Sequence, residues 1–168
     1  MANPQTARDA FEAFVAAHGA MARRVAWRLM GGDEAAAEDV VQNAFVKAYA
    51  KYDSLLQEGA REAWFRKIVV RQALNQLRWL AVRRRVAQLA GFEAPPAVAP
   101  MRDLGMAVRL QRAVAMLSPQ QRAVFVLVHL EEQTVADAAA QLGMAEGTAK
   151  SHLHRALTSL RTQLEDLR

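Results

Sequence analysis

Hydrophobic positions recur with helical spacing along most of the chain. Phe11, Phe14, Val15 and His18 fall at i, i+3, i+4 and i+7. Val25, Leu29, Val40, Val41, Ala44, Phe45, Ala48 and Tyr49 carry the same spacing onward. No run sustains the polar–apolar alternation of a strand. The pattern predicts helices over residues 6–17, 20–30, 34–51, 61–88, 104–117, 119–131, 135–142 and 146–165. Gly31-Gly32 ends the second of these. Asp33 reads as an N-cap, with Glu34 in the first turn where a carboxylate favours the helix dipole. Ser118-Pro119 places a capping serine before a proline whose fixed φ suits the first helical position. Thr134 starts the next helix, with Asp137 three residues on in an acidic version of the capping box. "YDSLLQEGA" (52–60) loses the period and reads as a loop.

The one clear break is "GFEAPPAVAP" (91–100), which holds three of the chain's five prolines and few charges. It cannot continue a helix and suits an extended linker. The expected architecture is therefore all-α: two small helical domains, 1–88 and 104–168, joined by a Pro-rich linker at 89–103. The total of 168 residues is enough for this division. Neither half repeats internally.

Composition narrows the function. The chain has no cysteine, which excludes disulfides, thiolate metal sites and a cysteine nucleophile. The polar start "MANPQTARDA" is not a signal peptide, and apolar runs such as "AVFVLV" (123–128) are far too short to span a bilayer. A cytoplasmic protein without membrane insertion is expected. The sequence offers no paired-carboxylate site, no nucleophile beside a base and no glycine-rich phosphate loop, so neither an enzyme nor a cofactor is expected. The net charge of +5 is unevenly spread. Residues 31–58 carry six acids against two lysines, whereas 61–85 carry eight basic residues against one glutamate. A basic segment of this density suits a polyanion.

Two segments carry candidate chemistry. "TVADAAAQLGMAEGTAKSHLHRALTSL" (134–160) has helix-turn-helix form: a short helix from Thr134, the small Ala139 where two helices cross, and Gly143 at the turn. Leu142, Leu153, Leu157 and Leu160 are expected to hold the second helix on the core. Glu146, Thr148, Lys150, Ser151, His152, His154 and Arg155 then surround its outer side. Thr, Ser and Arg in the first turns of such a helix can read base edges and bind phosphates. His152 and His154 lie two apart and diverge on a helix, which argues against a metal site. The same spacing also occurs in ordinary helical hairpins with a solvated face. In "REAWFRKIVVRQALNQLRWLAVRRR" (61–85) arginines interleave with Trp64, Phe65 and Trp79, a composition that suits unpaired bases and their backbone. Aromatic residues at helical spacing are equally the mark of a core, and Trp64, Ile68 and Arg71 share one face. The 33–52 helix presents Glu38, Asp39, Gln42 and Asn43 outward, either as solvated positions or as a docking face for a basic or helical partner.

Taken together, three ordered stretches resemble the extracytoplasmic function (ECF) sigma factors, short initiation subunits of bacterial RNA polymerase. "AAAEDVVQNAFVKAY" (35–49) is similar to that family's "AEDLVQEVFLRAW". "AWFRKIVVRQALNQLR" (63–78) is similar to its "TWLYRIARNLALDYLR". Residues 117–161, from "LSPQQRAVF" to "GTAKSHLHRALTSLR", are similar to its fourth conserved region.

The resemblance implies roles by position. Glu38, Asp39, Gln42 and Asn43 would contact the coiled coil of the polymerase β′ subunit. The 53–60 loop and the helix after it, with Asp53, Ser54, Trp64, Lys67, Arg71 and Asn75, would capture a flipped base of the −10 element and hold the melted strand. Glu146, Thr148, Lys150, Ser151, His152 and Arg155 would enter the −35 major groove. The linker would thread near the polymerase active site, so the β subunit is a further expected contact. An anti-sigma factor is also an expected partner. Two DNA-reading domains on a flexible tether gain affinity through effective concentration once polymerase fixes both. The chain departs from the family pattern in several places. Ala138 and Ala149 replace larger apolar residues, His152 stands for an arginine, Asn43 for a common acid, and Asn75 lies two residues past the family's asparagine. The competing reading is a stand-alone helix-turn-helix regulator whose residues 1–88 dimerise or sense a signal; it predicts tight duplex binding without polymerase.

Overall fold

The computed structural model describes residues 4–52, 61–90 and 105–165, with side chains from Arg8 onward except at 84 and 88. Among the described residues every regular element is helical. The elements are α1 (Pro4–Leu29), α2 (Glu34–Tyr49), α3 (Arg61–Leu89), α4 (Met106–Met116), α5 (Pro119–Phe125), a π-helical turn (Val126–Leu130), α6 (Val135–Leu142) and α7 (Glu146–Glu165). Of the predicted linker 89–103, Leu89 instead ends α3, and residues 91–103 lie outside the described residues, as do the loop residues 53–60 and thus Asp53 and Ser54.

Two boundaries differ from expectation. The predicted helices 6–17 and 20–30 are one helix, α1. A glycine inside a helix costs about 1 kcal/mol relative to alanine. Here Gly19 is followed by Met21, Ala22, Val25 and Ala26, all buried, and this packing outweighs the local penalty. The predicted helix 119–131 is α only to Phe125 and then widens into the π turn, so that the Glu131 N–H donates to the Val126 carbonyl at 2.9 Å.

The caps follow the sequence chemistry. Asp33 accepts from the Ala36 N–H at 3.0 Å. Ser118 and Gln121 form a reciprocal capping box. At α6 the Thr134 hydroxyl accepts from the Asp137 N–H at 3.1 Å and donates to the Asp137 carboxylate at 2.6 Å. Asp137 thus reaches the hydroxyl rather than the backbone N–H of a full capping box. Gly143 sits at φ 67 and turns α6 into α7.

Helices α1, α2 and α3 pack around Val25, Leu29, Val40, Phe65, Val69 and Val70. Phe65 lies 5.1 Å from Phe14 and 4.7 Å from Phe45 between ring centroids. Helices α4 to α7 surround Val124, Val126 and Leu127. In the helix-turn-helix, Ala139 and Ala149 meet Val124 in a tight crossing. One assignment is corrected there. Leu157 is 40% exposed, and the fully buried Ala156 with Leu160 holds α7 in its place. Leu142, Leu153 and Leu160 face the core as expected; only Leu157 gives way, to the adjacent small Ala156.

The two halves are not apart. Helices α1 and α3 pack against α5 and α6, and one apolar cluster runs from Phe14 to Leu160. Polar side chains fix this junction. The Arg122 guanidinium, buried beneath α4, donates to the carbonyls of Val114 at 3.1 Å, Leu117 at 3.1 Å and Ala115. It also crosses to the carbonyl of Leu29 in the last turn of α1, at 3.0 Å. Glu131, its side chain only 2% exposed, takes Arg28 at 2.5 Å and Arg24 at 3.2 Å, both from α1. Arg28 also donates to the Leu130 carbonyl at 2.6 Å. Burial pulls the Arg122 guanidinium below its ordinary pKa, whereas the hydrogen bond that Arg24 donates to Glu131 raises its own. Gly31 (φ 72) and Gly32 (φ 89) both end α1 and admit α4; a Cβ on Gly31 would stand 2.9 Å from the Ala115 Cβ.

Glu132 is the sole non-glycine residue at positive φ (53) among the described residues. It reverses the chain so that the Gln133 N–H reaches the Leu127 carbonyl at 3.0 Å. A side chain costs energy in this conformation and glycine does not. Glu132→Gly is therefore expected to raise stability by about 0.5–1 kcal/mol in chemical denaturation. An unchanged or lower midpoint would show that the strain is absent.

Candidate nucleic-acid interface

Three surfaces hold the residues singled out above. The first is a cleft of about 480 Å³ between the end of α2 and the first half of α3. Trp64, Lys67, Ile68, Arg71 and Gln72 line it from α3, and Lys47 and Lys51 from α2. Trp64 and Ile68 form a half-buried apolar wall at i and i+4, with Arg71 one turn on and exposed. Phe65, one residue on from Trp64, points the other way and is fully buried. The aromatic set of α3 therefore divides: Phe65 is core, Trp64 is cleft wall, and Trp79 is 53% exposed with the Arg83 guanidinium 5.2 Å over its ring. A cationic rim around a ring edge and an apolar wall can hold a nucleotide, with phosphate on the cations and base against the ring.

The cleft brings Trp64, Lys67 and Arg71, grouped from the sequence, together with Lys47, Lys51 and Gln72, which the sequence did not single out. Lys47 and Lys51 lie in an acidic stretch, and their i, i+4 spacing was the available clue. That they face α3 depends on the α2–α3 crossing. Asn75 is exposed one turn past Arg71 and does not line the cleft.

The second surface is the start of α7. Glu146, Thr148, Lys150, Ser151, His154 and Arg155 are exposed. Lys150 pairs with Glu146 at 2.7 Å, and the Ser151 hydroxyl donates to the Gly147 carbonyl at 3.0 Å. These bonds hold the side chains along the helix without burying them. His152 differs: it is half-buried, and its Nδ1 is enclosed with no hydrogen-bond partner. It turns partly inward from the outer face assigned to it. Leu142 and Leu153 are half-buried there, as expected of residues joining the two helices.

The third surface is the outer face of α2. Glu38, Asp39, Gln42 and Asn43 are all exposed, and Val46, also exposed, extends the face by one turn. Gln42 donates to Glu38 at 3.4 Å. Asp39 borders a shallow hollow shared with Gln76, Trp79 and Arg83 of α3. Among the described residues no group of three or more His, Asp or Glu side chains converges to hold a metal ion, and no helix is long and apolar enough to cross a membrane.

Known proteins place these surfaces in a family. Residues 14–83 match Sigma-70 region 2, and residues 107–160 match Sigma-70 region 4. The RNA polymerase sigma-E factor of Streptomyces avermitilis is 33% identical over 160 residues, covering 92% of this chain and 85% of that protein. The chain belongs to the ECF sigma factors. The ECF RNA polymerase sigma factor SigM of Mycobacterium tuberculosis is 32% identical over 154 residues, 91% of this chain and 76% of that one. In three dimensions this sigma factor is similar to the sigma factor RpoE of Bartonella quintana, solved in complex with the anti-sigma factor NepR. The TM-score is 0.70 at 30% identity over 94% of this chain and 98% of that one. A sigma factor directs RNA polymerase to initiate transcription at promoters and performs no catalysis itself.

Proposed function

We propose that this sigma factor divides promoter recognition among the three surfaces. The observation that carries the assignment is the α2–α3 cleft. It gathers Lys47, Lys51, Lys67 and Arg71 around the Trp64 wall. The cleft holds one nucleotide of the melted −10 strand, with neighbouring phosphates along the lysines and Arg71. The first turns of α7 enter the −35 major groove, where Thr148, Lys150, Ser151 and Arg155 meet bases and phosphates. The half-buried His152 supports these residues from beneath and contributes less than the arginine it replaces. Glu38, Asp39, Gln42 and Asn43 on α2 dock on the β′ coiled coil of core polymerase, and residues between α3 and α4 pass toward the β subunit. An anti-sigma factor is a further partner, supported by the likeness to a sigma factor solved with one.

Co-elution with core polymerase on size exclusion, followed by initiation on a −35/−10 template, tests this reading. The pair Glu38→Lys and Asp39→Lys is expected to weaken the polymerase complex at least tenfold, because reversed charges at a complementary interface repel. A chain that ignores polymerase and binds duplex DNA as a dimer would instead support a stand-alone regulator. Within the cleft, Lys67→Ala and Arg71→Ala should each weaken binding to a single-stranded −10 oligonucleotide. Each should also flatten the slope of log affinity against log salt by about 0.7 per lost phosphate contact. Weakening without a change of slope would move these cations off the DNA path.

A further inference from the structure

The end of α3 projects beyond the helices it packs on. At about 1.5 Å per residue its 29 residues span roughly 44 Å, against roughly 24 Å for the 16 of α2 beside it. Phe65, Val69, Val70, Ala73 and Leu74 are buried along its first half, whereas from Trp79 to Leu89 no described side chain is buried. Yet this end is not polar. Trp79, Val82, Val86 and Leu89 are each more than half exposed. They fall at i, i+3, i+7 and i+10, the a and d positions of two successive heptads. That spacing draws one narrow seam along a helix, of the width that packs against a single second helix. Two of the four are valines, which form helices poorly because branching at Cβ confines their rotamers. A helix end kept only for solvent would be served better by alanine, glutamine or lysine.

The charges beside the seam define what the second helix carries. With Trp79 at an a position, Arg78 and Arg85 stand at g and Arg83 at e, and all three are exposed. The Arg83 guanidinium lies 5.2 Å over the Trp79 ring, at the border of the seam. No carboxylate among the described residues forms an ion pair with these arginines. Residues at e and g face their counterparts across a coiled coil and set the choice of partner. Arginine at each of them repels a second copy of the same helix in either orientation, and attracts a helix with glutamate or aspartate there. Nucleic acid would use the arginines but leave the apolar seam in water.

From these observations we infer that the end of α3 is a docking helix for a partner protein whose own helix carries apolar residues at a and d and acids at e and g. The pairing is short, with four side chains inserted from this side, so it forms reversibly and gains from any second contact between the two proteins. It does not depend on the roles given to the three surfaces above.

The test uses the full chain and a synthetic probe. The probe is a peptide of three heptads with leucine at a and d and glutamate at e and g, whose own charges oppose self-pairing at neutral pH. A matched peptide carries lysine at e and g. Fluorescence anisotropy of each labelled peptide is followed as the chain is added, with neither polymerase nor DNA present. The glutamate peptide is expected to bind roughly tenfold more tightly than the lysine peptide, or better. Val82→Ser with Val86→Ser removes the middle of the seam and leaves every charge in place; it is expected to weaken binding roughly tenfold. Arg83→Glu with Arg85→Glu is expected to turn the preference toward the lysine peptide. All four positions are exposed, so both variants are expected to keep the parent's helical circular dichroism. Failure of the glutamate peptide to bind, or equal binding of the two peptides, would overturn the inference. Binding that survives loss of the seam would also overturn it, since charge alone would then suffice. A free chain that sediments as a dimer, and as a monomer once the seam is removed, would make a second copy the occupant instead. A seam variant that loses core polymerase or promoter DNA would give the stripe to those partners and likewise overturn it.

Discussion

Arg122→Met is expected to destabilise the chain by about 3–5 kcal/mol, the largest effect of any polar substitution here. Arg122 is buried and donates to the carbonyls of Leu29, Val114, Ala115 and Leu117. These carbonyls belong to the ends of α1 and α4 and to the residue that follows α4; Val114 also accepts from the Leu117 N–H at 3.2 Å, so the acceptors most dependent on Arg122 are those of Leu29, Ala115 and Leu117. Methionine fills similar volume but leaves those acceptors in a dry junction. Each unsatisfied buried acceptor costs about 1–3 kcal/mol, with some recovery through water. Lysine is not expected to rescue, because a single ammonium cannot reproduce the planar fork that reaches carbonyls on two helices. Urea titration monitored by circular dichroism gives the value directly. A loss below about 1 kcal/mol would mean that the junction is open in most molecules and that Arg122 is already hydrated there.

Phe65→Ala comes next, with an expected loss of about 3–5 kcal/mol from the transfer term and the cavity left behind. Phe65 is fully buried and touches rings from α1 and α2 at once. Its neighbour Trp64 lines the cleft, so the same turn of α3 fixes the core and aims the site. The variant should lose single-strand binding together with stability, whereas Trp64→Ala should lose binding with little change in the unfolding midpoint. Equal stability losses for the two would place Trp64 in the core and remove the wall from the cleft.

Much of the fold is legible in the chain because its determinants are local. The 3.6-residue period marks the helices, and Asp33, Ser118 and Thr134 mark starts through side-chain oxygens that accept backbone N–H groups three residues on. Gly31, Gly32 and Gly143 mark reversals because the backbone there needs positive φ. The helix-turn-helix is also local, since its two helices and turn occupy one short stretch. The errors follow the same division. Joining 6–17 to 20–30 required buried neighbours to outweigh Gly19, which a local pattern does not report. Leu157 lies outside the buried set because the adjacent small Ala156 packs at the crossing instead, a choice that depends on α7's neighbours rather than on its own period.

The candidate site was half legible. Trp64, Lys67 and Arg71 lie within two turns of one helix, so their grouping follows from spacing alone. Lys47 and Lys51 join them across the α2–α3 packing, and nothing in their own segment distinguishes them from solvated lysines. The sequence by itself determined the helices, their caps, the helix-turn-helix and the ordered segments that identify a sigma factor, because each depends on residues a few positions apart. The tertiary structure alone decided that Glu131 meets Arg24 and Arg28, that Arg122 reaches Leu29, and that four cations share one cleft. Those contacts join residues from 16 to 107 positions apart, and only the packing of helix upon helix determines which side chains such distant segments bring together.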